Sequence, residues 1–213
     1  MSNFNEVSDS LERHYRNKFM EHGPTSEGVD WGTNEKAVEI RHSVMHKLIQ
    51  KKKCSILDVG CGYGAFYEYL LNKNLDFEYT GLDLVEEMID YSSAKHTACS
   101  FIKGDILDLE IEKKDYIICN GILTQKLGCS QLEMWEFVKK VILKMWSIAD
   151  EAIAFNIMST NVNFFSENLF YKSPTELLAW VNQEITNSFS IIHSYPLYEY
   201  TVYLYKSKSY LQE

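Results

Sequence analysis

No run of about 18 apolar residues occurs anywhere in the 213-residue chain, so the sequence offers no transmembrane helix. The N-terminus is polar and mixed in charge, without the apolar stretch of a secretory signal, and a cytoplasmic chain is expected. Proline is scarce, at three residues, and no Pro/Gly/Ser-rich tract or repeat marks a linker. With 46% hydrophobic residues, positions 1–213 are expected to form a single domain with a sizeable core. The five cysteines, at 54, 61, 99, 119 and 129, include no C-x-x-C pair, which points to reduced and mostly buried thiols. Basic residues are outnumbered, 21 Lys and Arg against 30 Asp and Glu, for a net charge of −9. Proteins that wrap nucleic acid need a basic face to neutralise phosphates. The one basic cluster, Lys51-Lys-Lys53, falls where a helix should end and complements its dipole. Neither nucleic acid nor membrane is an expected partner, and the oligomeric state is open.

What is present is more specific. Ile56-Leu-Asp-Val-Gly-Cys-Gly-Tyr-Gly-Ala-Phe66 reads as a buried strand, a glycine turn and the start of a helix. Such a turn lets a ligand pass close to the backbone. Gly60, Gly62 and Ala65 satisfy the dinucleotide pattern G-x-G-x-x-G/A, where a helix N-terminus faces a pyrophosphate. Asp58 argues for another ligand, because a carboxylate before the turn disfavours a pyrophosphate and suits a cation. A second strand, Phe77-Glu-Tyr-Thr-Gly-Leu-Asp83, ends in an acid at about the 20-residue spacing of a ribose-hydroxyl acceptor. A third, Cys99-Ser-Phe-Ile-Lys-Gly-Asp105, closes on Gly-Asp, and a fourth, Tyr116-Ile-Ile-Cys-Asn120, leads into Gly121.

The periodicities fill in the remaining elements. A helix from Phe4 to about Glu21 carries Leu11, Tyr15 and Phe19 on one stripe, and Asn34 can cap a second that runs to the lysines. Residues 1–53 are expected to form a helical lid and 54–213 the core. Strands are expected at 54–59, 77–82, 99–103, 115–120, 151–157, 188–195 and 199–206, with helices at 63–73, 85–94, 131–147 and 174–186. Strand–helix alternation implies a parallel sheet. Pro196-Leu197 leaves room only for a hairpin, so the last strand must run antiparallel.

These four motifs, in this order and spacing, resemble those of class I S-adenosylmethionine (SAM)-dependent methyltransferases. His22-Gly-Pro-Thr-Ser-Glu-Gly-Val-Asp-Trp31 and His193-Ser-Tyr-Pro-Leu-Tyr-Glu-Tyr-Thr-Val-Tyr-Leu-Tyr205 are similar to a subgroup of small bacterial members, though that subgroup has an acid where Ser194 stands. The resemblance implies an α/β, Rossmann-like sheet of seven mostly parallel strands with an antiparallel last strand and helices on both faces. It also implies SAM as cofactor, S-adenosylhomocysteine (SAH) as product and a small-molecule acceptor. Asn120 is followed by Gly121 and Ile122, unlike the Asn-Pro-Pro-aromatic pattern of DNA adenine methyltransferases. By the same resemblance, Gly60, Cys61 and Gly62 pass beside the ligand and Asp58 faces its methionine end. Asp83 takes the ribose diol, Leu84 and Met88 line the adenine, and Asp105 beside Ile106 accepts from the adenine amine. The Asn120 carbonyl receives the ammonium, Arg41 pairs with the carboxylate, and Trp31 and Tyr15 close over it.

Methyl transfer needs alignment more than a fixed catalytic group. His22, in the lid loop, is the candidate general base, against the plainer reading of a surface histidine. His42 and His46 have metal-compatible spacing but no third ligand, so no metal is expected. The connection 159–172 brings Phe164, Phe165 and Tyr171, and the hairpin brings Tyr195 and Tyr198, as candidates for an aromatic acceptor pocket. The alternatives are a protein or RNA methyltransferase, a silent SAM-binding module and an NAD-dependent oxidoreductase.

Overall fold

The computed structural model describes residues 3–206; positions 1–2 and 207–213 of the expected domain lie outside the described residues. Two helices come first, α1 (Asn3–His22) and α2 (Glu35–His46). The core then alternates through β1 (Lys53–Val59), α3 (Ala65–Leu71), β2 (Asp76–Asp83), α4 (Glu86–Lys95), β3 (Ser100–Lys103) and β4 (Lys114–Cys119). It closes with α5 (Gln131–Ile148), β5 (Ala149–Ser159), β6 (Tyr171–Lys172), α6 (Pro174–Glu184), β7 (Phe189–Ile192) and β8 (Glu199–Tyr205). The strand order is β3-β2-β1-β4-β5-β8-β7, parallel from β3 to β5. β8 is antiparallel to both β5 and β7, as the short hairpin required. One strand was not expected: β6, two residues long, pairs parallel with β5 at Met158 and Ser159. β7 stops at Ile192, three residues short of the expected strand, and residues 193–198 form an irregular turn before β8.

Alternation along the strands sorts side chains onto the two faces of the sheet. Leu57, Val59, Ile117, Cys119, Ile153, Phe155, Val202 and Leu204 point to one side, where α5 and α6 supply Met134, Phe137, Val138, Leu177 and Val181. Ile56, Ile118, Ala154 and Tyr203 point to the other, against Val44, Met45 and Leu48 in and just after α2 and Phe66, Tyr67 and Leu70 from α3. Burying each large apolar side chain contributes about 1.5–3 kcal/mol, so both layers are needed.

Local signals explain where the helices begin. The Asn34 side chain accepts from the Ala37 N–H at 3.3 Å and starts α2. Ser130 and Glu133 form a reciprocal capping box at the head of α5. α2 is therefore part of a sheet-packing layer, not a lid across the sheet end as expected. α1 packs instead on α4 and α5. Among the described residues, no helix is long and apolar enough to cross a membrane.

Candidate active site

At β1 and β4 the chain switches the side on which successive strands are added, and in open α/β sheets ligands bind at that point, beyond the carboxyl ends of the strands. A cavity lies there, with about 1020 Å³ of free space when the solvent at its mouth is included. Its floor is the end of β1 and the glycine turn. Gly60 has φ +75°, and a Cβ there would strike the Ile122 side chain. The residue is glycine to fit the turn after β4, as well as to present its amide.

Three acids stand at or just beyond the ends of three neighbouring parallel strands. Asp58 of β1 is 2% exposed and accepts from the Tyr79 hydroxyl at 2.6 Å. Burial pushes its carboxyl up to about 7, and the nearby Asp83 adds to the shift, against the Tyr79 bond. Asp83 ends β2 and accepts the Gly62 and Val85 amides at 2.8 and 2.9 Å. Burial raises its carboxyl and the backbone amides oppose that. Asp105, two residues past β3, accepts the Leu107 amide at 2.8 Å and the Ser8 hydroxyl of α1 at 2.5 Å. The turn-capping role open to these acids and the ligand-facing role thus coexist, since both Asp83 and Asp105 also line the cavity.

After β4 comes Asn120, 8% exposed, with both side-chain amide atoms buried and unpartnered. The next residue donates its Gly121 N–H to Asn156 Oδ1 at 2.8 Å. Asn156 Nδ2 in turn donates to Glu199 at 2.9 Å.

Of the thirteen residues expected at the cofactor, twelve line this cavity: Tyr15, Trp31, Asp58, Gly60, Cys61, Gly62, Asp83, Leu84, Met88, Asp105, Ile106 and Asn120. Arg41 does not. Its guanidinium makes three 3.1 Å contacts with Glu199, whose side chain is only 3% exposed, and stacks 5.0 Å from the Trp31 ring centroid. A carboxylate buried that deeply needs a cation, and Arg41 supplies it, with Nη1 left unpartnered.

His22 is also outside the cavity. α1 faces it with Ser8, Leu11, Glu12 and Tyr15, at the i, i+3, i+4, i+7 spacing of one helix stripe. His22 lies seven residues past Tyr15, about 10 Å further along the axis, beside Glu21. None of the five aromatic acceptor candidates lines the cavity either. Phe164, Phe165 and Tyr198 are 72%, 61% and 52% exposed, Tyr171 accepts from the Ser166 amide, and Tyr195 pairs with Thr201. The connection carrying the first of them is tied by its backbone to the turn after β4, through Lys126 and Leu127 to Asn168 and Phe170 to Thr124, which leaves its aromatics outside.

The cavity also takes in residues not singled out from the sequence: Ser8, Glu12, Tyr63, His42, Phe137 and Val141. The α1 stripe and the i, i+4 pair on α5 were visible as patterns, but nothing local said what they faced. His42 packs among the rings of Trp31, Phe66 and Tyr69, and burial, with Arg41 adding to it, pushes its imidazole down to about 4. It is neutral at physiological pH. His46 turns away to the edge of Tyr69, and among the described residues no group of three His, Cys, Asp or Glu could hold a metal ion.

Comparison with known proteins points mainly to methyltransferases, although a solved structure of similar fold is a [4+2]-cyclase, at 13% identity and a TM-score of 0.61 over 90% of this chain and 75% of that one. Residues 56–142 match the model of a methyltransferase domain. A Mycobacterium tuberculosis protein with a provisional methyltransferase name is 26% identical over 158 residues, 72% of this chain and 93% of that protein. The fatty-acid O-methyltransferase of Mycolicibacterium smegmatis is 31% identical over 85 residues, 39% of this chain and 31% of its own length. Among solved structures, the fold is similar to magnesium protoporphyrin IX methyltransferase from Synechocystis PCC 6803 with bound SAH. That likeness has a TM-score of 0.66 at 17% identity, over 97% of this chain and 100% of that one. The strand order with its reversed β8, the acids closing β1 to β3 and these likenesses together support a class I SAM-dependent methyltransferase.

Proposed function

We propose that the cavity binds SAM and that the protein transfers its methyl group to a small-molecule acceptor by in-line displacement. The observation that carries this reading is the ring of Asp58, Asp83 and Asp105 around the glycine turn. These acids would repel a pyrophosphate and suit a ligand bearing a sulfonium and an ammonium. In this reading Asp83 holds the ribose diol with the lone pairs its amide bonds leave free. Asp105 and Ile106 hold the adenine, with Leu84 and Met88 on its face. Asp58, the backbone at Gly60, Cys61 and Gly62, and the Asn120 carbonyl receive the methionine end, while Tyr15 and Trp31 cover it. When bound, SAM supplies the activated methyl. The chain's part is to bind, align and keep water out.

A small acceptor is favoured because α1 covers the cavity and the −9 net charge offers no footing for nucleic acid. The names of the relatives, which run from a fatty acid to magnesium protoporphyrin IX, do not agree on an acceptor. Five free cysteines, three of them buried, support a reducing, cytoplasmic setting.

Thermal unfolding with SAM, SAH and NAD side by side tests the reading. A ligand at about a hundredfold excess over its Kd stabilises by about 2.7 kcal/mol, a rise in Tm of about 5–10 °C. The expected result is a rise with both adenosyl ligands and none with NAD. A rise with NAD alone would favour the oxidoreductase.

A further inference from the structure

Glu199 does not line the cavity, yet hydrogen bonds lead from it to the cavity wall. It opens β8 opposite Met158 of β5, so its side chain leaves the same sheet face as that of Asn156, two residues back along β5. Glu199 accepts from Asn156 Nδ2 at 2.9 Å, and Asn156 Oδ1 accepts the Gly121 N–H at 2.8 Å. Both side chains are almost wholly buried. Only one orientation of the Asn156 amide satisfies both neighbours, because a carboxylate accepts and a backbone N–H donates. On its other side Glu199 takes the Arg41 guanidinium, which lies over the Trp31 ring. The Trp31 indole nitrogen in turn lies 2.8 Å from where a Cβ on Gly121 would stand. This circuit of contacts meets the cavity wall at two places, Gly121 and Trp31.

We propose that Glu199 is a positioning residue for the cofactor, aiming and polarising the Asn120 carbonyl toward the SAM ammonium by way of Asn156. The inference rests on the SAM reading given above. The Asn120 carbonyl and the Gly121 N–H belong to one planar trans peptide, so they point in opposite directions. Holding the N–H on Asn156 therefore fixes the carbonyl facing away from Asn156. Each amide in the line polarises the next, so the buried negative charge of Glu199 is relayed as added electron density on the Asn120 oxygen. A cationic partner gains most from that, and the ammonium is the group assigned to this oxygen.

Stability alone does not call for such an arrangement. A buried ion pair carries a desolvation penalty, and apolar side chains of similar size hold a fold as well or better. What apolar side chains would not do is turn the Asn156 amide, polarise the Gly121 peptide and seat a cation on the Trp31 face.

Calorimetric titration with SAH and with 5′-methylthioadenosine separates positioning from stability, because the second ligand keeps the adenosine end and lacks the ammonium and carboxylate. In Glu199→Gln, and in the double variant Arg41→Met with Glu199→Met, SAH affinity is expected to fall about tenfold or more. Methylthioadenosine affinity should move by less than about threefold in both. The double variant is expected to unfold within about 5 °C of the wild type, since the two methionines remove both buried charges together. Wild-type SAH affinity in that stable double variant would make the pair structural and overturn the inference. Parallel losses for both ligands would do the same. So would a Glu199→Gln protein that binds SAH as well as the wild type or better, the outcome expected if a freed Arg41 met the cofactor itself. If neither variant folds, the pair is a requirement of the fold and the inference falls. Failure of the wild type to bind SAH overturns the cofactor reading instead.

Discussion

Asp58 and His42 are buried ionisable residues with opposite consequences for stability. The Asp58 carboxyl rises from 3.8 to about 7 on folding, so between those values the folded chain holds a proton that the unfolded chain has lost. Stability therefore falls as pH rises through that window. The His42 imidazole drops from 6.5 to about 4, so the unfolded chain binds the extra proton and stability rises with pH from 4 to 6.5. Each slope is about 1.4 kcal/mol per pH unit, and between pH 4 and 6.5 they offset. Urea denaturation across that range should show a shallow dependence for the wild type. In His42→Asn stability should fall as pH rises, and in Asp58→Asn it should climb. Identical slopes in all three proteins would mean that neither group titrates as its burial requires. Neither shift was legible in the sequence. Asp58 was visible as an acid before a glycine turn, but its hydroxyl partner Tyr79 comes from the next strand, and the aromatic packing around His42 draws on the loop before α2 and on α3.

At the scale of elements, α1 and α2 divide the task expected of a single lid. α1 presents Ser8, Leu11, Glu12 and Tyr15 to the cavity and is held at its rim by Arg16 to Glu87 on α4 and by His14 and Lys18 to Asp30. α2 packs on the sheet and is bound to β8 through Arg41 and Glu199. The sequence shows that Arg41 falls on an apolar stripe, which is unusual for an exposed arginine. It does not show that Glu199, 158 residues later, is the reason. Removing one partner of a buried pair leaves the other charge uncompensated, so Glu199→Ala should cost about 3–5 kcal/mol. Replacing both Arg41 and Glu199 by methionine should cost clearly less. A Glu199→Ala loss below about 1 kcal/mol would mean that the pair is effectively solvated. The connection after β5 was misjudged for a similar reason. Its aromatics were plain in the sequence, while the backbone bonds from Asn168 and Phe170 that hold the connection against the turn after β4 are not local.

For the whole molecule, the cofactor half was the legible half. Each strand and the turn that ends it are written in consecutive residues, and four such pairs in order define the sheet from β3 to β4. The reversal of β8 followed from loop length alone. The rest of the cavity is assembled from α1, the segment around Trp31, the turn after β4 and α5, with no shared spacing to announce it. That asymmetry explains why the cofactor reading stands on motifs and the acceptor reading stands on the cover that α1 gives the cavity and on net charge. The central claim is that the acids at the ends of neighbouring strands bind SAM. Calorimetric titration of SAM into the wild type and into Asp83→Ala at pH 7.5 tests it most directly. One site per chain in the wild type and affinity weaker by about tenfold or more in the variant is the predicted result, from loss of hydrogen bonds to a charged group. No binding to the wild type, or equal affinity in both proteins, would contradict it.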